Sequence, residues 1–377
     1  MNKYMYYCKF WLECVGIFDR HGKWCYVLMA MSLLVNVSAI VAGFAELIHV
    51  TDDLQLTAEL MSAWLLTFNA LARLLCLIIN RKKMNYLRTV IETGKVSEGQ
   101  RSEADDPILE YYDQVGLRFC RVYGSVILLV GVVMLVQPVP GILLGYERKL
   151  PFPTRYPFSV NTTIGYSVAY VHLVISSCSV VVHVLAFDTW FIFLNHHACS
   201  NFHLLQTWLE EISEVDPRRE HEKISRCIQL HQNVNKFAAD IEDVFNGSII
   251  QLFLITTVNT CISGYALAKS HNEVRLMVKH FSSIFGLILQ ALILNWCGQF
   301  IEDKSIGVSL AISRSKLYEL NDRHQRDLSL IMLVRAQKPT SLSAGKFYSL
   351  SLPTFTNVRF RSMYSAYRID MPNLYQA

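Results

Sequence analysis

The sequence predicts an all-α polytopic membrane protein with seven transmembrane helices, its N-terminus in the cytoplasm and its C-terminus outside. Three observations predict it. Of 377 residues, 52% are hydrophobic and only 18% charged, and the mean hydropathy is positive. Several uncharged runs reach or approach the roughly 20 residues that cross about 30 Å of hydrocarbon. The Lys and Arg residues between those runs also alternate in density. There are 25 in segments 1–23, 81–121, 195–246 and 302–346, against 6 in 46–58, 145–161 and 269–279. The positive-inside rule places the denser set, and with it the N-terminus, in the cytoplasm.

Residues 1–23 form an aromatic, basic arm (Tyr4, Tyr6, Tyr7, Phe10, Trp11) suited to the inner interface. Span one, 24–45, is full-length and reads as a span rather than a cleavable leader. Asp52 and Asp53 turn the chain into span two, 54–80, which Glu59 and Arg73 interrupt. Arg73 is expected to snorkel or pair. Span three, 122–146, carries Gln137-Pro-Val-Pro-Gly141, which must kink or unwind its outer end. An aromatic, proline-spaced outer loop follows. Near its end Asn161-Thr-Thr163 is an acceptor triplet for glycosylation. Spans four to six are 156–187, 245–268 and 281–301.

Two cytoplasmic stretches repeat apolar residues at helical spacing: Ile224, Ile228, Val234, Phe237, Ile241 and Phe245, then Ile306, Leu310, Leu317, Leu328 and Ile331. Such stripes need partners, within the subunit or between subunits, and predict a helical anchor layer beneath the membrane. The chain therefore divides into a six-span bundle (1–301), an anchor helix (302–338) and a closing segment (339–377). In the last, Pro339 breaks the preceding helix, and Ser341, Ser343, Ala344 and Gly345 lead into a seventh helix carrying Arg359, Arg361 and Arg368. So polar a helix survives at membrane depth only where other helices or water cover it.

The residues point away from catalysis. There is no G-x-S-x-G, phosphate-binding loop or H-E-x-x-H, and no cofactor motif. The ten Cys are scattered without metal-type spacing and read as small buried apolar residues. His196, Cys199 and His203 share a helical stretch but lack a carboxylate at ligand spacing, so no metal site is expected. The basic residues are juxtamembrane, which suits lipid headgroups and not nucleic acid. Paired intramembrane charges, the mark of a proton-coupled transporter, are not visible: Glu59 lies near the outer end of span two and Asp188 near the inner end of span four.

The outer halves of the spans carry a collective signal. Met61, Trp64 and Phe68 in span two, Met134 and Pro138 in span three, Tyr166, Tyr170, Val174 and Ser177 in span four, and Phe281, Phe285 and Ile288 in span six mark apolar, aromatic faces with a few hydroxyls. Converging, they would line a cavity for a small neutral ligand held by desolvation, shape and one or two hydrogen bonds. Read singly, each of these residues is better explained as helix-packing core; the cavity is a collective reading.

Ser343-Ala-Gly-Lys-Phe-Tyr-Ser-Leu-Ser-Leu-Pro-Thr-Phe355, with Val358 and Tyr364-Ser-Ala-Tyr367, resembles the C-terminal signature of insect odorant receptors. Trp296-Cys-Gly-Gln-Phe-Ile301 with Ser305 resembles that family's end of span six. The resemblance implies a ligand-gated, non-selective cation channel, tetrameric with an obligate co-receptor. It also implies a shared cytoplasmic anchor, the last helix at the central pore and a volatile odorant in an outer-half cavity among spans two to six. Because 195–246 lacks the co-receptor's large insertion, the chain resembles a ligand-recognising tuning subunit. It departs from the family at Arg361, Arg368 and Asp370, where pore-lining positions are usually apolar. A pore-facing Arg repels cations unless paired, so weak conduction without the co-receptor is expected. Two rivals stand beside this reading. A G-protein-coupled receptor would place its N-terminus outside and carry D-R-Y-like and N-P-x-x-Y motifs; a secondary transporter would show matched halves or paired buried charges.

Overall fold

The computed structural model describes residues 3–18, 22–50, 53–97, 102–139, 150–214, 217–270, 273–315 and 323–357. Its helices are α1 (Tyr6–Val15), α2 (Lys23–Leu47), α3 (Leu54–Ile79), α4 (Arg81–Glu92), α5 (Asp106–Val136), α6 (Thr163–Glu210), α7 (Pro217–Lys269), α8 (Val274–Arg314) and α9 (Arg323–Ala336). Six of them, α2, α3, α5, α6, α7 and α8, are long and apolar enough to cross a membrane.

Local chemistry sets the helix starts. Asp53 opens α3 by accepting from the N–H groups of Gln55 (2.9 Å) and Leu56 (3.1 Å), which satisfies two donors that the first turn leaves unpaired. Thr162 does the same for α6, accepting from Gly165 N–H at 3.1 Å. Span four therefore begins at Thr163, not at residue 156 as the apolar run predicts. Pro151, Pro153 and Pro157 remove backbone donors and hold 150–162 out of helix.

The cytoplasmic layer is built by the spans themselves. α6, α7 and α8 contain 48, 53 and 41 residues. At about 1.5 Å per residue they are roughly 72, 80 and 62 Å long, twice the hydrocarbon thickness or more. The predicted anchor helix 302–338 is in fact two pieces, the inner end of α8 and the separate α9. Through this layer α6 is the mast: residues 183–202 are buried without interruption, polar Asp188, Asn195 and His196 included, so neighbours cover every face of the helix. The N-terminal arm packs on it, leaving Tyr6 and Phe10 exposed. Cys8, Leu12 and Val15 of α1 are buried, and Phe18 meets Trp190 edge-on at 5.4 Å.

Two buried ion pairs cross the bundle, which corrects the expectation that paired intramembrane charges are missing. Arg73 of α3 bonds Asp188 of α6 at 2.7 Å, with both residues 1% exposed or less. Tyr123 of α5 donates to the other Asp188 oxygen, and Gln290 of α8 accepts from Arg73 at 3.3 Å. Four helices thus meet at one charge. Nearer the outer end, Lys279 of α8 pairs with Glu59 of α3, each 5% exposed. Charges this deep persist only when paired. The partners lie 115 and 220 residues apart.

The tail departs from the expected helix entry. A two-stranded antiparallel hairpin, β1 (Ser343–Ala344) and β2 (Tyr348–Ser349), comes first. Its turn holds Gly345 and Lys346 at φ of 63° and 64°, a left-handed conformation that Gly adopts without steric cost. The hairpin is bound to the bundle. Gly345 N–H donates to Asn246 Oδ1 at 2.7 Å and Ser343 to Glu242 on α7, while Thr340 N–H donates to Ser305 Oγ on α8 at 2.9 Å. Helix resumes at residue 352, capped by Ser351, whose Oγ accepts from Thr354 N–H at 3.3 Å, with Pro353 in the first turn where its missing donor costs nothing. Arg359, Arg361, Arg368 and Asp370 lie outside the described residues.

Candidate ligand cavity in the outer half of the bundle

A cavity of about 100 Å³ opens among α2, α3, α5 and α6 in their outer halves. Ile40 and Gly43 of α2, Leu60, Trp64 and Thr67 of α3, Met134 of α5, and Leu173, Ser176, Ser177 and Val181 of α6 form its walls. Phe152, Pro153 and Thr154 of the outer loop close it from above. The walls are mostly apolar because each helix turns its small or aliphatic residues inward at this level. Gly43 is required there, since a Cβ at this position would strike the Trp64 indole nitrogen. Phe44 stacks on the other side of the indole at 5.5 Å.

Two polar groups beside the cavity make no hydrogen bond. Trp64 Nε1 is buried with no hydrogen-bond partner, and among the described residues Ser177 makes no hydrogen bond. The other hydroxyls are occupied. Thr67 donates to Ala63 O at 3.0 Å and Thr154 to Phe152 O at 3.4 Å. Ser176 donates to Asn36 Oδ1 at 3.2 Å and belongs to a buried chain behind the wall. In that chain Asn36 donates to Ser179 Oγ at 2.9 Å, and Ser32 bonds His183 Nε2 at 2.6 Å. Trp64 Nε1 is closed off against Gly43, so the Ser177 hydroxyl is the donor that an acceptor-bearing ligand could meet.

The predicted residues divide by register. Trp64, Met134 and Ser177 line the cavity. Tyr170 turns its hydroxyl to Leu135 O (3.0 Å) and stacks with Tyr166 at 5.9 Å, bracing α6 against α5. Pro138 is buried beyond the last turn of α5, and Val174 and Ile288 are half-buried. Met61, Phe68, Phe281 and Phe285 lie on the surface of the described bundle, 37%, 56%, 63% and 46% exposed. A 3.6-residue stripe fixes which residues share a face but not which neighbour that face meets. Sequence reasoning missed α2 altogether, along with Phe152 and Pro153 of the loop. The Gly43–Trp64 fit is a contact of side chain on backbone that no periodicity reports.

Elsewhere, His196 packs among Phe119, Trp296 and Phe300, and His203 bonds the Tyr112 hydroxyl at 3.0 Å; both serve the mast. Asn161 is exposed at the outer end of the bundle, one residue before the α6 cap.

The chain matches the family model described as 7tm Odorant receptor over residues 55–361. Odorant receptor 47a of Drosophila melanogaster is 22% identical over 339 residues, covering 86% of this chain and 88% of that protein. Odorant receptor 49a of the same insect is 26% identical over 289 residues, 74% of this chain and 72% of that one. Among solved structures, the olfactory receptor OR5 from Machilis hrabei in complex with eugenol has the same fold. Its TM-score is 0.81 at 14% identity, with 98% of this chain and 100% of that chain covered. The family model, the curated relatives and the fold agree: the chain belongs to the seven-transmembrane odorant receptor family of insects, whose members are receptors and not enzymes.

Proposed function

We propose that this chain is the tuning subunit of an odorant-gated, non-selective cation channel of sensory-neuron membranes, assembling as a tetramer with a co-receptor. A small volatile enters the outer-half cavity, and its binding favours the open form of a pore lined by the last helix. One observation carries the reading: a loop-capped apolar cavity with the Ser177 hydroxyl unspent on its wall. An apolar cavity of comparable size, about 150 Å³, accepts benzene in an engineered protein. The shape therefore suits a single ring or short chain bearing an oxygen acceptor. Binding shifts gating only by the difference in affinity between closed and open forms. With Arg361, Arg368 and Asp370 in the closing segment, this subunit conducts poorly alone, and the co-receptor supplies most of the pore wall.

The test is whole-cell current from cells expressing the chain with and without the co-receptor, challenged with a volatile panel that begins with eugenol and includes matched pairs with and without a carbonyl. Current should appear only with both subunits. Ser177→Ala should raise the half-maximal concentration of carbonyl-bearing agonists about 3- to 10-fold, the worth of one hydrogen bond, and leave hydrocarbon analogues unchanged. Robust current from this chain alone would contradict the division of labour, and flux without channel currents would favour a transporter.

Asn161 is proposed to carry a glycan on the outer face. Glycosidase treatment should shift the mobility of the expressed chain, and Asn161→Gln should abolish the shift while keeping the Thr162 cap. An unshifted wild-type chain would oppose the assignment.

A further inference from the structure

The outer loop is tied down at one cation. Lys279 Nζ bonds the Glu59 carboxylate and also donates to the Pro151 carbonyl at 2.9 Å. The same ammonium lies 4.6 Å from the centre of the Phe152 ring, within cation–π range. Phe152 is one of three residues, with Pro153 and Thr154, that the loop contributes to the cavity roof, and Pro151 and Lys279 are buried. A second anchor holds the loop's far end. Arg155 N–H donates to Ala42 O of α2 at 2.9 Å. Tyr156, His172 and Ser38 form a relay: Tyr156 to His172 Nδ1 at 2.8 Å and His172 Nε2 to Ser38 at 2.8 Å. Ser38 already donates to Val35 O. It therefore accepts from Nε2–H, leaving Nδ1 to accept the phenol proton, which burial helps Tyr156 to retain by raising its pKa. The relay is exposed at Ser38 and neutral, whereas the Lys279 anchor is charged and dry.

We propose that Lys279, fixed by Glu59, is the positioning residue that latches Phe152 over the cavity and so sets ligand access and the size of ligand admitted. Lys279 has three donors, one face of its ammonium is taken by Glu59, and another is spent on the loop backbone at the residue beside the roof ring. A pair serving only to join α3 to α8 has no need of the Pro151 carbonyl or the Phe152 face. Spans two and six thereby act on a cavity that α8 does not itself line, since no α8 residue is among its walls. This inference rests on the ligand-cavity reading above, but its test needs no odorant.

The test is the rate at which 2-(trimethylammonium)ethyl methanethiosulfonate, which does not cross membranes, modifies Ser177→Cys on intact cells co-expressing the co-receptor. Cys178 and Cys261, both exposed, are first replaced by Ser. With the latch intact the introduced thiol lies under the roof and reacts slowly. Glu59→Gln with Lys279→Met removes both charges together, so no lone buried charge remains; labelling should accelerate at least tenfold at matched surface protein. Lys279→Arg, which keeps charge and donors, should stay near the parent rate. So should Arg73→Met with Asp188→Leu, which removes the other buried pair without touching the loop. If the double latch variant does not reach the surface, Phe152→Ala keeps the ion pair, removes the roof ring and must accelerate labelling. Rates within twofold of the parent, or equal acceleration on removing the Arg73–Asp188 pair, would overturn the latch. An absence of any odorant response would instead fault the ligand-cavity reading and leave the labelling result standing.

Discussion

Asp188→Ala should deplete the receptor from the cell surface. The substitution leaves Arg73 charged, less than 1% exposed and without its 2.7 Å partner. It also takes away the carboxylate that accepts the Tyr123 hydroxyl proton. Removing one member of a buried pair costs about 3–5 kcal/mol, a large part of the roughly 5–15 kcal/mol that holds a typical domain folded. Gln290 offers only a 3.3 Å contact in compensation. Arg73→Met with Asp188→Leu should recover most of the loss, because an apolar pair of similar volume avoids the desolvation cost altogether. Surface biotinylation and size-exclusion profiles of tagged receptor check both. Wild-type levels of the single variant would show that Arg73 finds another partner or water.

Gly298→Ala should abolish most evoked current while leaving much of the protein at the surface. A Cβ at Gly298 would collide with the Leu350 carbonyl oxygen and side chain, on the strand side of the tail hairpin. Leu350 N–H closes that hairpin on Leu342 O at 2.9 Å, two residues before the last helix resumes. Tyr348 is held beside it by Asn295 at 3.3 Å and packs on Phe253 at 4.9 Å. Overpacking such a contact costs about 1–3 kcal/mol, enough to displace the hairpin without unfolding the bundle. The hairpin is the only covalent route from the anchor to the closing helix, so its displacement should uncouple the two. Peak current per surface receptor is the measurement, with a tenfold loss expected; an unchanged value would mean that the hairpin does not transmit gating.

That contact also explains the two signatures on which the sequence resemblance rests. Trp296-Cys-Gly-Gln-Phe and Ser343-Ala-Gly-Lys-Phe-Tyr-Ser-Leu are the two sides of one packing surface. Gly298 admits Leu350, Ser305 accepts from the Thr340 backbone, and Trp296 stacks on Phe119 at 4.6 Å to hold α8 against α5. The spans and their orientation were legible because hydrocarbon thickness and loop charge act on runs of residues. The hairpin was not: four strand residues leave no alternation to read, and Ser, Ala and Gly before an apolar stretch look like a helix entry. The ion pairs escaped because Glu59, Arg73, Asp188 and Lys279 each stand far apart in the sequence, and only packing brings them together. Trp64, Met134 and Ser177 were found at the cavity because they face inward on their own helices. Phe281 and Phe285 carry the same pattern but turn outward, a choice that the neighbouring helices make.

A cryo-electron microscopy map of the assembled receptor, purified with an activating volatile from the panel, tests the ligand-cavity reading most directly. Ligand density is expected among Trp64, Met134 and Ser177, beneath Phe152, with an acceptor atom turned toward the Ser177 hydroxyl. Density seated against Phe281 and Phe285 instead, with the cavity between α2 and α6 empty, would contradict it.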